Sequence, residues 1–303
     1  MASSLTYNAT LASKRLVSND VGVFRVIPDT AIVGEGPWFV PGQYVTLGIN
    51  PGGGEDPIRR PMTVVSSATE RGEIEFYLNR VEKPRSQHPL THLLWQLSPG
   101  DALHMRNHPA GRFTISDTVG IEDTRLRLCL GQGTGVAPFV SMVRSCDNQS
   151  DFAERYALIH GAADKKLLSF HDEMTEIETR SGLRYIPIVD SHLPGQRGRA
   201  CDLVSEEQIG GLETTLGMAP GRLCPETTVV YVCGLQPDIA CVIWHLLARG
   251  FVPHHRKICK ALEIGSNAPA TLFFEQYDNE RIFDINDAGV VQQLRARFPK
   301  PLL

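Results

Sequence analysis

No two cysteines in this 303-residue chain stand in a CxxC spacing. The seven thiols, at positions 129, 146, 201, 224, 233, 241 and 259, are odd in number and widely spread. That spacing fits neither a structural zinc ribbon nor an iron–sulfur cluster and reads as small buried residues in a reducing compartment. An excess of one charge is also missing. With 30 basic residues against 34 acidic ones, the net charge of -4 excludes a whole-surface attraction to nucleic acid or to an anionic membrane. No apolar run reaches the roughly 18 residues that a membrane span requires. The N-terminal stretch MASSLTYNATLASKRLV has no long apolar core behind a basic start, so no secretory signal is read there and the expected compartment is the cytoplasm. Four of the ten histidines, His88, His92, His104 and His108, fall close together, but neither an HExxH pattern nor an acidic partner at ligand spacing accompanies them. No metal site is expected.

What is present changes character near residue 120. Before it, short segments at 22–27, 43–49, 61–67, 73–81 and 101–107 are rich in β-branched or aromatic residues and separated by turn residues such as Pro41-Gly42 and Pro51-Gly52. That pattern predicts an antiparallel barrel or sandwich. One helix interrupts it at 91–97, with Thr91 as its expected N-cap. After residue 122, apolar runs at 126–130, 156–160, 184–189 and 228–233 alternate with helical stretches around 135–146, 165–179, 203–210 and 237–249. Continuous apolar strands between amphipathic helices predict a doubly wound α/β unit with a parallel sheet, whose ligand lies beyond the carboxyl ends of the strands.

GQGTGVAPF, residues 131–139, is one such strand-to-helix turn, and VCGLQPD at 232–238 is another. A turn of small residues lets backbone N–H groups face an anion or a flat ring approach the backbone. Taken alone it is a weak signal. Ala137 and Pro138 stand where the usual dinucleotide fingerprint has its third glycine, and the plainer alternative is a tight turn packed on the sheet.

RRPMTVVS at 59–66, read together with GTGVAPF and CGLQP, resembles the ferredoxin–NADP reductase family over about residues 20–260. The match runs in the family's order, the all-β half first, and rests on Arg60, Met62 and Thr63, on Gly133 to Phe139, and on Cys233, Gly234 and Pro237. The resemblance implies an FAD-binding β-barrel at 1–120, an NAD(P)-binding α/β domain at 121–270 and a C-terminal extension at 271–303. It implies an FAD site of Arg60, Pro61, Met62 and Thr63, with Tyr77, Leu78, Asn79 and Thr91. A guanidinium at Arg60 suits a pyrophosphate, for which the alternative is a surface ion pair. Gly133, Thr134, Gly135, Asp190, Ser191, Arg199, Cys233 and Gly234 form the implied nucleotide site, with Thr63 and Cys233 nearest the reacting rings. Phe273, Phe274 or Tyr277 would cover the second face of the flavin, the alternative for the chain end being a final strand and helix.

Departures from the pattern are informative. Met62 stands where the family places a stacking aromatic, so the contact there would be a thioether. His88 replaces a glycine before the helix at Thr91. Ala163 and Asp190-Ser191 stand where NADP-preferring members hold the 2'-phosphate with arginines. A carboxylate at Asp190 suits the ribose hydroxyls of NAD, while Lys165, Arg197 and Arg199 bring charge into the same loops, so both nucleotides stay open. The implied activity is hydride transfer between nicotinamide C4 and flavin N5, with single electrons exchanged with a ferredoxin or flavodoxin. Arg80, Lys83, Arg85, Arg106 and Arg112 would suit such an acidic partner, the alternative being a solvated rim. An NADH-dependent flavin or cytochrome reductase of the same architecture, or a binding subunit without turnover, stands beside that reading. A reductase fused to its own iron–sulfur domain is not expected, because clustered cysteines are absent.

Overall fold

The computed structural model describes residues 4–53, 55–81, 89–146, 155–190 and 198–299. The chain divides into two compact units, Met1–Asp117 with Ala137–Asn148, and Thr118–Val136 with Gln149–Leu303.

The first unit is a six-stranded antiparallel sheet of β1 (Ala9–Leu16), β2 (Val21–Pro28), β3 (Tyr44–Ile49), β4 (Ile58–Thr63), β5 (Ile74–Asn79) and β6 (Ala102–Met105), in the order β4-β3-β6-β1-β2-β5. The edges β4 and β5 approach each other, and just past β4 the Val65 N–H donates to the Glu75 carbonyl at 2.9 Å. Alternate residues turn inward as the two-residue strand period requires. Leu11, Phe24, Val26, Val45, Leu47, Ile74, Phe76, Leu78 and Leu103 fill one core with Leu90 and Leu94 of α1 (Leu90–Gln96). Pro61 lies on edge strand β4, where a missing N–H costs no ladder bond.

Strand β1 lies outside the segments read from the sequence. Only Ala9 and Leu11 of its eight residues are buried, too few to show a period. The segment expected at 61–67 is a strand only to Thr63, because the chain then leaves β3 for its contact with Glu75. Thr91 is not the N-cap of α1. Pro89 is, without a side-chain cap bond, and the Thr91 hydroxyl accepts from the Val81 N–H at 3.3 Å. Two short helices follow, α2 (Ile115–Thr118) and α3 (Ala137–Cys146).

In the second unit β7 (Leu126–Gln132), β8 (Tyr156–Ala162), β9 (Arg184–Val189), β10 (Thr228–Gly234) and β11 (Leu272–Gln276) form a parallel sheet in the order β11-β10-β7-β8-β9. The order reverses between β7 and β10, and such a switch point opens a crevice at the carboxyl ends of the strands. Helices α4 (His171–Ser181), α5 (Ile209–Thr215), α6 (Gln236–Leu247), α7 (Arg256–Ala261) and α8 (Ala288–Arg297) complete the unit. One sheet face packs Leu128, Leu130, Val230 and Val232 against Ile209, Leu212, Ile239, Ile243 and Leu294. Across the sheet, Tyr185 of β9 meets His171 of α4 with ring centroids 5.7 Å apart. The sheet does not stop at residue 270. β11 pairs with β10 from Leu272 to Gln276, so the expected C-terminal extension begins inside it. The helical stretch expected at 165–179 begins as a 3-10 turn, Lys165–Leu167, with α4 following and ending at Gly182 in the left-handed conformation, φ 78°. The stretch expected at 203–210 is split into the 3-10 turn Ala200–Val204 and α5.

Candidate functional site

Each unit carries a set of the expected residues. In the first, Arg59, Arg60 and Pro61 of β4 are exposed, while Met62 is half-buried against the core. The Arg60 guanidinium donates only to the Arg59 carbonyl, at 2.7 Å. Among the described residues no carboxylate pairs with it. Thr63 ends the strand, half-buried and in register with Tyr44. On β5, Tyr77 and Asn79 share the face turned away from the core, Tyr77 buried and Asn79 exposed. Leu78 points the other way. It is a core residue at 5% exposure, so its side chain is not available to a ligand.

In the second unit the glycine turn is pressed onto the neighbouring strand. A Cβ on Gly135 would collide with the Cys233 carbonyl, and Gly133 takes a left-handed φ of 55°. Gly133 and Thr134 remain half-buried, so the turn presents backbone at the crevice where β7 and β10 end. Cys233 is fully buried. Burial pushes its thiol well above the ordinary range, the nearby Glu275 carboxylate adds to that, and a hydrogen bond with Tyr277 opposes it. It is a neutral packing group rather than a nucleophile. Tyr277 is 40% exposed, and its N–H donates to the Gly234 carbonyl at 2.9 Å, which places the ring at the same strand ends. Phe273 instead stacks on Tyr231 with centroids 5.4 Å apart, and Phe274 packs on the core.

The strand ends also gather charged groups. The Asp190 N–H donates to the Ala162 carbonyl at 2.8 Å, leaving its carboxylate half-exposed beyond β9. Gly198 is so close to Val189 and Asp190 that a Cβ there would collide with the Val189 carbonyl, which brings Arg199 back to this end of the sheet. The Arg199 guanidinium is bound by Asp238 in the first turn of α6. Burial works against its charge and Asp238 more than offsets that, so its pKa is raised.

Residues 8–115 match the oxidoreductase FAD-binding domain family and residues 129–242 the oxidoreductase NAD-binding domain family. A ferredoxin–NADP reductase of Azotobacter vinelandii is 28% identical over 205 residues, 65% of this chain and 73% of that protein. A flavodoxin/ferredoxin–NADP reductase of Rhodobacter capsulatus is 29% identical over 205 residues, 65% of this chain and 70% of that one. A ferredoxin NADP+ reductase from Neisseria gonorrhoeae, solved with FAD and NADP bound, shares the fold with a TM-score of 0.68 at 20% identity, covering 89% of this chain and 98% of that chain. The chain belongs to the ferredoxin–NADP reductase family.

As a member of that family it is an NAD(P)H-dependent flavoprotein oxidoreductase that binds FAD and a nicotinamide nucleotide. The residues present fit both groups. An exposed guanidinium beside a thioether on β4 suits a diphosphate joined to a flat ring, and the Gly135 approach to Cys233 leaves backbone where a nicotinamide can come close. Two residues of this reductase escaped the sequence reading. Gln132, inside the glycine motif, sends its side chain past Gly161 to accept from the Ala200 N–H at 3.2 Å, which fixes the turn leading from Arg199. Asp238, one residue beyond CGLQP, neutralises Arg199. The motif itself was the available signal for both.

Several expected groups are engaged elsewhere. Arg80 pairs with Asp20 at 3.7 Å and Arg112 with Asp117 at 3.8 Å, so of the described members of the basic set only Arg106 is exposed without an acidic partner. Lys83, Arg85, His88, Ser191 and Arg197 lie outside the described residues. His92 and His104 each place a ring nitrogen on a backbone carbonyl, Val81 at 2.7 Å and Thr6 at 2.9 Å. Among the described residues no helix is long and apolar enough to cross a membrane.

Proposed function

We propose that this chain moves electrons between NADH and a small one-electron carrier, a ferredoxin or flavodoxin, in the cytoplasm. The observation that carries the reading is the exposed Arg60 guanidinium beside Met62 on β4, ready for the diphosphate of FAD. Of the relatives described above, one is named for ferredoxin and another for flavodoxin or ferredoxin, both with NADP. The seven cysteines are all free thiols, in keeping with a reducing compartment.

When bound, FAD supplies a ring that takes two electrons as hydride from the nicotinamide and releases them singly. The side chains hold and orient. Arg60 would hold the diphosphate, Met62 would offer a thioether in place of an aromatic, and Thr63 would offer its hydroxyl to the ring. Tyr77 and Asn79, on the β5 face turned away from the core, would contribute to holding the cofactor. Gly133, Thr134 and Gly135 would let the nicotinamide approach the strand ends, where the neutral Cys233 thiol packs and the Tyr277 ring is exposed. Hydride transfer between two held rings needs no general base, so positioning and exclusion of water are the protein's contribution.

The preference for NADH rests on charge. Asp190 offers a carboxylate to ribose hydroxyls and repels a 2'-phosphate, and Arg199 is already neutralised by Asp238. The acceptor is tested by following NADH-driven cytochrome c reduction with and without an added ferredoxin or flavodoxin. A rate that rises saturably with the carrier supports the reading. A rate set only by free flavin or by cytochrome assigns the chain to the flavin- or cytochrome-reducing branch instead.

A further inference from the structure

Seven thiols without a CxxC pair gave no reason to expect a metal, yet folding brings two of them together. Cys201 and Asp202 lie in the 3-10 turn Ala200–Val204 and Cys241 lies in α6, forty positions further along the chain. The two sulfurs and a carboxylate oxygen of Asp202 all lie within 4.8 Å of one another. Cys201 is enclosed at 1% exposure and Cys241 is half-buried. A second observation points into the same cluster. His245 follows Cys241 by four residues on the same face of α6, and its Nδ1 is buried with no partner among the described residues.

We propose that Cys201, Cys241 and Asp202 bind a thiophilic divalent cation of the zinc class, with His245 in reach to complete four ligands. Zinc–sulfur bonds of about 2.3 Å in a tetrahedron put donor atoms about 3.8 Å apart, so a cluster spanning 4.8 Å needs only a small contraction. Two thiolates with a carboxylate select zinc, cadmium or cobalt over magnesium or calcium. Two thiolates and a carboxylate bring three negative charges, of which a divalent cation offsets two. The ion would join the 3-10 turn to α6 on either side of the Arg199–Asp238 pair, since Asp202 also accepts from the Arg199 N–H at 3.2 Å and Asp238 lies one turn before Cys241.

The test is equilibrium dialysis of the reduced, chelator-stripped full-length flavoprotein against Zn²⁺, with elemental analysis, followed by a Cd²⁺ titration read as an ultraviolet difference spectrum. The expected result is one Zn²⁺ per chain and a saturable thiolate-to-cadmium absorption. The Cys241→Ser variant loses both, Asp202→Asn binds at least tenfold more weakly, and Cys224→Ser is unchanged. Should Cys241→Ser fail to match the wild-type circular dichroism, His245→Gln reads the same site through weaker Zn²⁺ retention. The proposal is overturned by less than one ion per chain at saturation, by a cadmium absorption that survives in Cys241→Ser, or by a thiol count two short in the unreduced protein that Cys241→Ser removes. The last result would make the pair a disulfide.

Discussion

Asp238 holds the guanidinium of Arg199 in an ion pair at the carboxyl end of the parallel sheet, 39 residues away in the chain. On the proposed reading, a guanidinium that could meet a 2'-phosphate is thereby neutralised before any nucleotide arrives. Asp238→Asn releases it. The expected result is a rise of about tenfold in kcat/KM for NADPH with little change for NADH, since one charge-assisted contact contributes about 1.5–3 kcal/mol, reduced here by the partial exposure of the pair. Steady-state rates with the two nucleotides check this, and equal changes for both would contradict it.

Gly135→Ala puts a methyl group into the Cys233 carbonyl. Backbone has to move, so a loss of about 1–3 kcal/mol is expected. The same change raises KM for the nucleotide because the turn is displaced. Thermal unfolding and steady-state kinetics measure the two effects, and Gly72→Ala, an exposed position outside any helix where a Cβ meets nothing, serves as the comparison.

Arg60→Ala removes the guanidinium without disturbing an ion pair among the described residues. The loss of one charge-assisted contact to a phosphate raises the Kd for FAD by roughly 10- to 100-fold. Fluorescence recovery of released flavin reads it. Melting of the protein saturated with FAD is expected to shift little.

His160, fully buried on β8, places Nδ1 3.0 Å from the Tyr185 hydroxyl. Burial lowers its pKa from the ordinary 6.5 to about 3, and the charge of His171 adds to this. The unfolded chain takes up the proton first as pH falls. The neutral ring therefore contributes stability that is fully present above pH 6.5 and is lost progressively between pH 6.5 and about 3. The slope in that window approaches about 1.4 kcal/mol per pH unit. Denaturant titrations of the wild type and His160→Gln across the window are expected to show a shallower slope in the variant.

The rhythm of the two units could be read from residues because their strands carry it. The runs at 126–130 and 228–233 are apolar apart from the buried Arg127 and Thr228, as strands covered on both faces tend to be, and the motifs on their following turns mark the crevice. β1 was hidden because the polar Thr10, Ser13, Lys14 and Arg15 dominate it. The chain end left a covering tail and a final strand with a helix both open, and the structure has a strand and a helix there, β11 and α8, because β11 pairs with β10 far back in the chain. The relationships that shape the site, Arg199 with Asp238 and Cys201 with Cys241, join a 3-10 turn to a helix about forty residues on, and no local period reports such a contact. Thr91 was misread for a nearer reason. A threonine before an apolar run looks like a cap, but α1 starts at Leu90, and the hydroxyl turns to Val81.

The central claim is that a flavin held by the first unit is reduced by a nicotinamide nucleotide bound to the second. The direct measurement is the anaerobic absorbance spectrum of the FAD-saturated protein, followed in a stopped-flow instrument on mixing with NADH and, separately, with NADPH. The account predicts a flavin band that bleaches with both and faster with NADH. A protein that shows no flavin band and takes up no added FAD, or a bound flavin that neither nucleotide reduces, would contradict it.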